Sequence, residues 1–271
     1  TQILEMGSIA KSSTILTARP LTDDTRSPFT PPPLAMLLEV ILAEKPKVVF
    51  CPHVETSAGM ILPDDYLRAI AQAVHTYDGL FVLDCVASGM VLIDMESVGV
   101  DVLLTAPQKG WSSTPCAALV MMSHRARVLT EERNSSSFAN DLKRWVKIME
   151  TYEQGGHAYH ATMPTDALRQ LRDTLVEADK IGLAHLQEAQ WMLGRRLRKI
   201  LTARGLPSVA AQGFQAPSVI VSYTEDLEIK SGKRFSEQGI QIAAGVPLKC
   251  GEVEGFSTFR VGLFGFDKLL E

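Results

Sequence analysis

Two short apolar runs lie within residues 80–109, and they constrain the fold more than any other part of the sequence. The first run, residues 80–83, is followed by Asp84, and the second, within residues 100–104, is followed by Thr105-Ala106-Pro107. Apolar runs of this length, bounded by turn residues, are typical of strands buried on both faces of a parallel sheet. The residues between them are long enough for the crossover that parallel neighbours require. The sequence therefore predicts an α/β fold in which both strands end at the same sheet edge, where ligands of such sheets usually bind.

Helix-like and strand-like segments alternate around these two runs. Apolar residues at helical spacing occupy residues 34–43, and a second helical segment follows Pro63. Residues 47–51 form an apolar run between the two helices, and residues 117–122 form another after Lys109. Only a short loop precedes this last run, so we expect an antiparallel or edge strand there. The alternation predicts a three-layer α/β domain with a mostly parallel sheet.

The two ends of the chain have other patterns. Residues 1–8 predict a strand that runs into a Gly-Ser turn, and residues 165–204 form a long amphipathic helical stretch in which Gly182 and Gly194 favour a break. Strand candidates follow at residues 219–223, 239–243 and 259–263. These patterns divide the chain into a large domain over residues 1–163, a connecting helical segment over residues 164–205 and a small C-terminal α+β domain over residues 206–271.

Composition and charge restrict the class of protein. Of 271 residues, 46% are hydrophobic and the net charge is −4, so electrostatics give no reason to expect nucleic acid or an anionic membrane as a partner. No apolar run approaches the roughly 18 residues of a membrane span, and no signal-peptide pattern opens the chain. The four cysteines lack ligand-like spacing and predict buried free thiols. We therefore expect a cytoplasmic protein in a reducing environment.

A carboxylate and an amine follow the two strands of the predicted parallel pair. Asp84 ends the first strand, and Lys109 closes the segment after the second. This pairing suits a pyridinium cofactor that is held by lysine as a Schiff base and has an acidic group on its ring nitrogen. The alternative is structural, because Asp after a strand is often a turn or capping residue and most lysines are solvated surface charges.

Arg260 lies inside the apolar strand pattern near the C-terminus, between Phe259 and Val261. A basic residue in such a position lowers stability unless it meets an anion. We therefore expect Arg260 to form an ion pair with an internal carboxylate or to bind the carboxylate of a ligand. A planar guanidinium can hold a carboxylate at two points.

Three spaced motifs resemble those of a known family. They are HVETSAG at residues 53–59, DCVASG at residues 84–89 and APQKGW at residues 106–111. They resemble the class V branch of fold-type I pyridoxal-phosphate enzymes, and within it the alanine–glyoxylate and serine–pyruvate aminotransferases most. The resemblance extends from about His53 to Leu269. It implies a pyridoxal 5′-phosphate enzyme that transaminates a small amino acid with a 2-oxo acid such as glyoxylate or pyruvate, and that works as a homodimer.

The resemblance also implies residue roles. Lys109 would hold the cofactor as a Schiff base and move the proton of the substrate α-carbon, and Asp84 would keep the ring nitrogen protonated. Arg260 would bind the substrate α-carboxylate. The remaining positions are cofactor contacts: Val86 on the ring face, Thr56 near the ring oxygen, Gln108 and Ser8 near the phosphate, and Tyr159 and Thr162 on the phosphate of the neighbouring subunit.

Two departures from the family pattern concern the phosphate site. Ala106-Pro107 stands where the family has Ser-Gly, so a hydroxyl is missing at Ala106. The glycine- and serine-rich cup of the family is reduced to Gly7-Ser8, with Ile9 where a second glycine is expected. Phosphate normally binds backbone N–H groups at a helix N-terminus, and the sequence does not predict that support here.

Two alternatives remain open on the sequence. The first is a pyridoxal-phosphate lyase of the cysteine-desulfurase type, which usually has a histidine before the lysine and a loop with a catalytic cysteine. Gln108 and the absence of cysteine in residues 134–142 count against it. The second is an inactive family member that acts as a binding module, as the reduced cup suggests. The sequence does not identify the amino donor or acceptor, because small changes in pocket shape set specificity.

Overall fold

The computed structural model describes residues 13–270. The predicted strand and Gly-Ser turn in residues 1–8, and with them the candidate phosphate ligand Ser8, lie outside the described residues.

Helices and strands alternate along the first half of the described chain, as the sequence predicts. The strands are β1 (Arg19–Pro20), β2 (Phe29–Thr30), β3 (Val48–Pro52), β4 (Val54–Glu55), β5 (Met60–Ile61), β6 (Leu80–Asp84), β7 (Val102–Thr105), β8 (Leu119–Met122), β9 (Val219–Tyr223), β10 (Ala243–Ala244) and β11 (Thr258–Gly262). The helices are α1 (Leu34–Glu44), α2 (Asp64–His75), α3 (Met95–Val98), α4 (His124–Glu132), α5 (Leu142–Glu153), α6 (Thr165–Ile181), α7 (Leu183–Ala203), α8 (Leu227–Lys230) and α9 (Lys233–Ser236). A 3₁₀ turn follows at Phe266–Leu269.

The central sheet has four strands in the order β3-β6-β7-β8. Strands β3, β6 and β7 are parallel, and β8 runs antiparallel to β7 at the edge. In the register, Pro52 pairs with Asp84, and Asp84 pairs with Leu104. The predicted parallel pair and the antiparallel edge strand are therefore confirmed, and the ends of β3, β6 and β7 meet at one edge.

One face of this sheet carries the apolar core, with α1 and α2 packed beside it. Phe81 and Leu83 are fully buried, and they share a cluster with Leu67 and Ile70 of α2. Val82, on the opposite face of β6, is only half-buried. The prediction that these strands are buried on both faces is therefore wrong for the described residues, because the alternating pleat of β6 packs only every second side chain tightly.

The second sheet has the order β10-β11-β9 and is antiparallel. Strand β11 lies in the middle, and its Arg260 pairs with Val221 of β9 and Ala243 of β10. The prediction of a strand over residues 239–243 is wrong, because only Ala243–Ala244 pair. Gly239 has φ of +73° and ends the turn after α9, where the N–H of Ile240 bonds back to the carbonyl of Phe235.

The amphipathic stretch after residue 164 forms α6 and α7, and it breaks at Gly182, whose φ is +100°. Gly194, the other candidate break, lies inside α7. A Cβ atom on Gly194 would lie 2.5 Å from the Cα of Pro217, so the glycine lets the helix approach the segment before β9 closely. Core clusters join residues on both sides of the predicted boundaries at 163 and 206, and the division into domains stays a prediction.

The four cysteines are all free thiols, but only Cys85 is fully buried; Cys51, Cys116 and Cys250 are half-buried. Burial raises the pKa of the Cys51 and Cys85 thiols to about 12, so both are held as neutral thiols.

Within residues 13–270, no helix combines the length and the apolar character that crossing a bilayer would require.

Candidate active site

Asp84 lies at the end of β6, next to the end of β7. Its Oδ1 accepts a hydrogen bond from the N–H of Val86 at 2.9 Å, which is the local turn that an aspartate after a strand commonly forms. The N–H of Cys85 donates to the carbonyl of Leu104 at 2.7 Å, so the chain stays paired with β7 for one residue beyond the strand. These two bonds orient the half-buried carboxylate at the sheet edge.

Lys109 follows β7 in a tight turn and is half-buried. Its Nζ lies 5.2 Å from the centroid of the Phe264 ring. A Cβ on Gly110 would lie only 2.4 Å from the carbonyl oxygen of Gly89, so the lysine turn packs directly on the loop that follows Asp84. The structure thus brings together the two loops that carry the candidate acid and the candidate amine.

The loop after β3 supplies a third wall at this edge. The N–H of His53 donates to the carbonyl of Asp84 at 2.8 Å, and its Nδ1 lies 2.7 Å from the hydroxyl oxygen of Ser88. Both side chains are buried. Burial lowers the pKa of His53 from 6.5 to about 4, because desolvation disfavours the imidazolium form. The pair is therefore neutral near pH 7 and holds the Asp84 loop by hydrogen bonds.

Glu55 fixes the backbone around Thr56. Its two carboxylate oxygens accept bonds from the N–H groups of Ser57 at 3.0 Å and Ala58 at 2.8 Å. Thr56, the predicted contact of the cofactor ring oxygen, is half-buried in this turn, and Val86 is half-buried beside Asp84. Sequence reasoning missed Glu55, although a carboxylate two and three residues before small turn residues is a recognisable capping pattern.

Arg260 lies in the middle of β11 and is half-buried. Its Nε donates to the carbonyl of Ala244 at 2.9 Å. Among residues 13–270, no carboxylate lies within 4.0 Å of its guanidinium nitrogens, so the alternative of an internal ion pair finds no partner in that part of the chain.

The other predicted phosphate contacts lie at the surface. Gln108 is exposed in the lysine turn, and Tyr159 is 69% exposed. The hydroxyl groups of Tyr159 and Thr162 lie 3.1 Å apart. His160 between them is buried against Phe138 and Trp145, and its Nε2 lies 2.9 Å from the carbonyl oxygen of Phe138.

The segment after β11 contacts the lysine turn directly, which the sequence did not predict. The N–H of Phe266 donates to the carbonyl of Gly110 at 3.1 Å, and the hydroxyl of Ser112 hydrogen-bonds the carboxylate of Asp267. Together with Phe264, these residues connect the strand that carries Arg260 to the turn that carries Lys109.

A cavity of about 1130 Å³ lies beside β3 and extends to the His53 loop. Cys51, His53, Glu55 and Ser57 line it, whereas Asp84, Lys109 and Arg260 do not. The cavity therefore adjoins the candidate active site on the β3 side and does not enclose the candidate acid and amine.

The fold is that of the fold-type I pyridoxal-phosphate aminotransferases. An alanine–glyoxylate aminotransferase from Nostoc sp. superposes with a TM-score of 0.74 at 23% identity, over 88% of this chain and 62% of that one. A ureidoglycine–glyoxylate aminotransferase from Bacillus subtilis gives a TM-score of 0.70 at 24% identity, over 87% and 59%. These similarities establish the fold.

The chain belongs to the aminotransferase class-V family, whose pattern it matches over residues 33–263. It is 32% identical to alanine–glyoxylate aminotransferase 1 of Saccharomyces cerevisiae over 86% of this chain and 61% of that protein. It is 28% identical to an alanine–glyoxylate aminotransferase of Callithrix jacchus over 91% and 58%. The chain thus spans about three fifths of the length of these relatives.

The family implies pyridoxal phosphate as cofactor, and the described residues fit its ring end. The donor set at the edge is one half-buried carboxylate, Asp84, and one half-buried amine, Lys109, on loops that touch. A pyridinium nitrogen requires an acid, and an aldehyde carbon requires a primary amine. At the phosphate end, the candidates within residues 13–270 are Gln108 and the pair Tyr159–Thr162.

The lowered pKa of His53 predicts a pH dependence of stability. Between about pH 4 and 6.5 the unfolded chain binds this proton and the folded chain does not, so the free energy of unfolding falls as the pH drops through this range. The full loss is about 3 kcal/mol. The free energy of unfolding, measured by urea denaturation from pH 4.5 to 7.5, should rise less steeply with pH for His53→Asn than for the unmodified protein.

His185, exposed on α7, provides the matched control. In His185→Asn the free energy of unfolding should depend on pH as it does in the unmodified protein. If His53→Asn also shows the pH dependence of the unmodified protein, His53 is not the group responsible.

Proposed function

We propose that this protein is a pyridoxal-phosphate-dependent aminotransferase that moves an amino group from a small amino acid of the alanine or serine type to a 2-oxo acid such as glyoxylate or pyruvate. The observation that carries the proposal is the position of Asp84 and Lys109, on touching loops after adjacent parallel strands. Several relatives that match most of the chain are alanine–glyoxylate aminotransferases, which supports this substrate class.

Lys109 is assigned two tasks. Its amine would hold the cofactor covalently, and once the amino group of the substrate has displaced it, the free amine would move the proton of the substrate α-carbon. The bound cofactor supplies the electron sink for the charge left at that carbon. The half-buried turn places the Lys109 amine 5.2 Å from the centroid of the Phe264 ring, near the sheet edge.

Asp84 holds a proton at the cofactor ring nitrogen. The bond from the Val86 N–H orients one carboxylate oxygen, and the His53 contact to the Asp84 carbonyl fixes the backbone. Val86 is assigned to the ring face and Thr56 to the ring oxygen. Gln108 is assigned to the phosphate, and so is Ser8, which lies outside the described residues.

Arg260 is assigned to the substrate α-carboxylate. A guanidinium in the middle strand of the second sheet, with no described carboxylate within ion-pairing distance, has the geometry to bind an external one bidentately. Binding there would orient the substrate so that its α-carbon meets Lys109.

A homodimer is part of the proposal, with Tyr159 and Thr162 reaching the cofactor phosphate of the partner. Trp145, Met149 and Tyr152 follow one another at helical spacing on α5, which buries none of its residues. Phe138 and Tyr159 are exposed beside them, at 64% and 69%. We call these five residues the aromatic surface, and a second copy of the chain is its proposed occupant.

A cytoplasmic location is also proposed, supported by four free thiols.

A transamination panel tests the reaction. Alanine, serine, aspartate and 2-aminoethylphosphonate are each paired with glyoxylate and pyruvate, and we expect alanine or serine to turn over fastest. Lys109→Ala should lower turnover by about a thousandfold, because the proton transfer loses its base, and should abolish the visible absorbance of the lysine-bound cofactor. Lys199→Ala, on the exposed side of α7, is the control. Turnover with no pair, or full activity in Lys109→Ala, would contradict the proposal.

The assignment of Arg260 has its own test. Arg260→Ala should raise the KM for the amino donor by about a hundredfold, because a desolvated carboxylate loses its charged partner. Cofactor affinity should change little. Arg260→Lys keeps the charge without the bidentate geometry, so its KM should lie between those of the unmodified protein and Arg260→Ala. An equal loss of substrate and cofactor affinity would make Arg260 a structural residue.

The dimer is tested through the aromatic surface. Met149→Glu combined with Tyr152→Glu should convert the protein from dimer to monomer in sedimentation, because two charges cannot be desolvated in an apolar interface. The same change should weaken cofactor binding, since Tyr159 and Thr162 of the partner leave with it. Leu227→Glu, at a site 73% exposed on α8, should remain dimeric. A monomer in the unmodified protein would refute the shared site.

A further inference from the structure

Gln190 on α7 is the buried polar side chain that connects the loops of the candidate site. It is fully buried, and its amide contacts three segments of the chain. The Nε2 donates to the carbonyls of Pro217 at 3.1 Å and Leu263 at 3.3 Å. The Oε1 accepts from the N–H of Met90 at 3.4 Å.

Two of these contacts lead to segments that carry a residue with an assigned role. Met90 belongs to the loop that begins at Asp84, and Leu263 follows Arg260 by three residues. A Cβ on Gly89 would lie 2.5 Å from the Oε1 of Gln190, so the amide fits against the backbone of this loop. Gly110, the neighbour of Lys109, packs against the carbonyl group of Gly89. One amide therefore touches the Asp84 loop and the Arg260 strand, and it is one glycine away from the lysine turn.

A plain packing role does not require an amide at this position. The neighbouring buried positions of α7, Leu186 and Ala189, are apolar, and an apolar side chain could fill the same space. Burying an amide is unfavourable unless its hydrogen bonds are made, and Gln190 makes three. Its contribution is therefore directional: it fixes two backbone carbonyls and one N–H relative to one another.

We propose that Gln190 is a positioning residue that sets the distance between the substrate-carboxylate arginine and the acid–lysine pair. This inference rests on the proposed function, in particular on Arg260 as the carboxylate site. The amide is one of the links between the second sheet and the central sheet, beside the bond from the Phe266 N–H to the Gly110 carbonyl, and its loss lets Arg260 shift relative to Lys109. The substrate α-carbon would then be presented to the amine at the wrong distance.

The test compares two amines that differ only in the carboxylate. Gln190→Met, of similar length but without the amide, should lower kcat/KM for alanine about tenfold, because misplacement of the bound carboxylate lengthens the approach to Lys109. With ethylamine, which has no carboxylate for Arg260 to bind, the loss should stay below about twofold. In the Arg260→Ala background, Gln190→Met should add less than about twofold with alanine, because the two changes act through one contact.

Gln187→Met is the matched control. Gln187 lies one turn earlier on α7. Among residues 13–270, its side chain accepts one hydrogen bond, from the N–H of Leu92 at 2.9 Å, so it holds the Asp84 loop and is not bonded to the Arg260 strand. Hydrogen–deuterium exchange should rise in both the Met90 and the Leu263 peptides for Gln190→Met, and only in the loop peptide for Gln187→Met. Gln190→Leu also removes the amide and adds no buried charge, so it should behave like Gln190→Met and replaces it if that variant does not fold.

The outcomes separate this inference from the function on which it rests. Equal losses with alanine and ethylamine, or full additivity with Arg260→Ala, would make Gln190 a packing residue while the role of Arg260 stands. If Arg260→Ala itself affects alanine and ethylamine equally, the carboxylate assignment fails and the positioning role fails with it.

Discussion

The parallel pairing of β6 with β7 is the constraint on which the site depends. Parallel neighbours deliver their carboxyl ends to the same sheet edge, and the register from Val82 to Asp84 fixes how far each extends. The pairing continues into the loops, where Cys85 bonds Leu104 and Gly110 packs on Gly89. A side chain at Gly110 would separate the two loops, and with them the acid and the amine, whereas a side chain at Gly89 would meet the amide of Gln190. The edge of the sheet is therefore a consequence of backbone pairing and of two residues without a Cβ.

Hydrogen bonds within and between these loops keep them in place. His53 and Ser88 form a buried pair, and the low pKa of His53 keeps it uncharged near neutral pH. Glu55 holds the next turn by two backbone N–H groups. The His53–Ser88 pair therefore adds no structural charge beside Asp84 and Lys109. This suits a site that must bind a charged ring, because fixed structural charges nearby would compete with it.

Sequence patterns were reliable where the physical cause was local, and they failed where it was not. The strand bounded by Asp84, the helix break at Gly182 and the antiparallel strand β8 follow from turn residues and loop length. The predicted strand over residues 239–243 failed because Gly239 closes a turn with φ of +73°. Burial on both faces failed for β6 because an apolar run does not show whether a second layer covers it. The contact of Phe264 with Lys109 joins residues 155 positions apart, and no local period predicts it.

By itself the sequence determined the alternation of strands and helices, the acid and the lysine at the ends of two neighbouring strands, and the family motifs around them. These features are local, since strand length, turn residues and crossover length are set by the bonding and sterics of a few consecutive residues. Only the tertiary structure decided which loops touch and what holds them together. Close packing of Gly89 on Gly110, and a single amide at Gln190 bonded to three distant segments, depend on distances that no spacing along the chain contains.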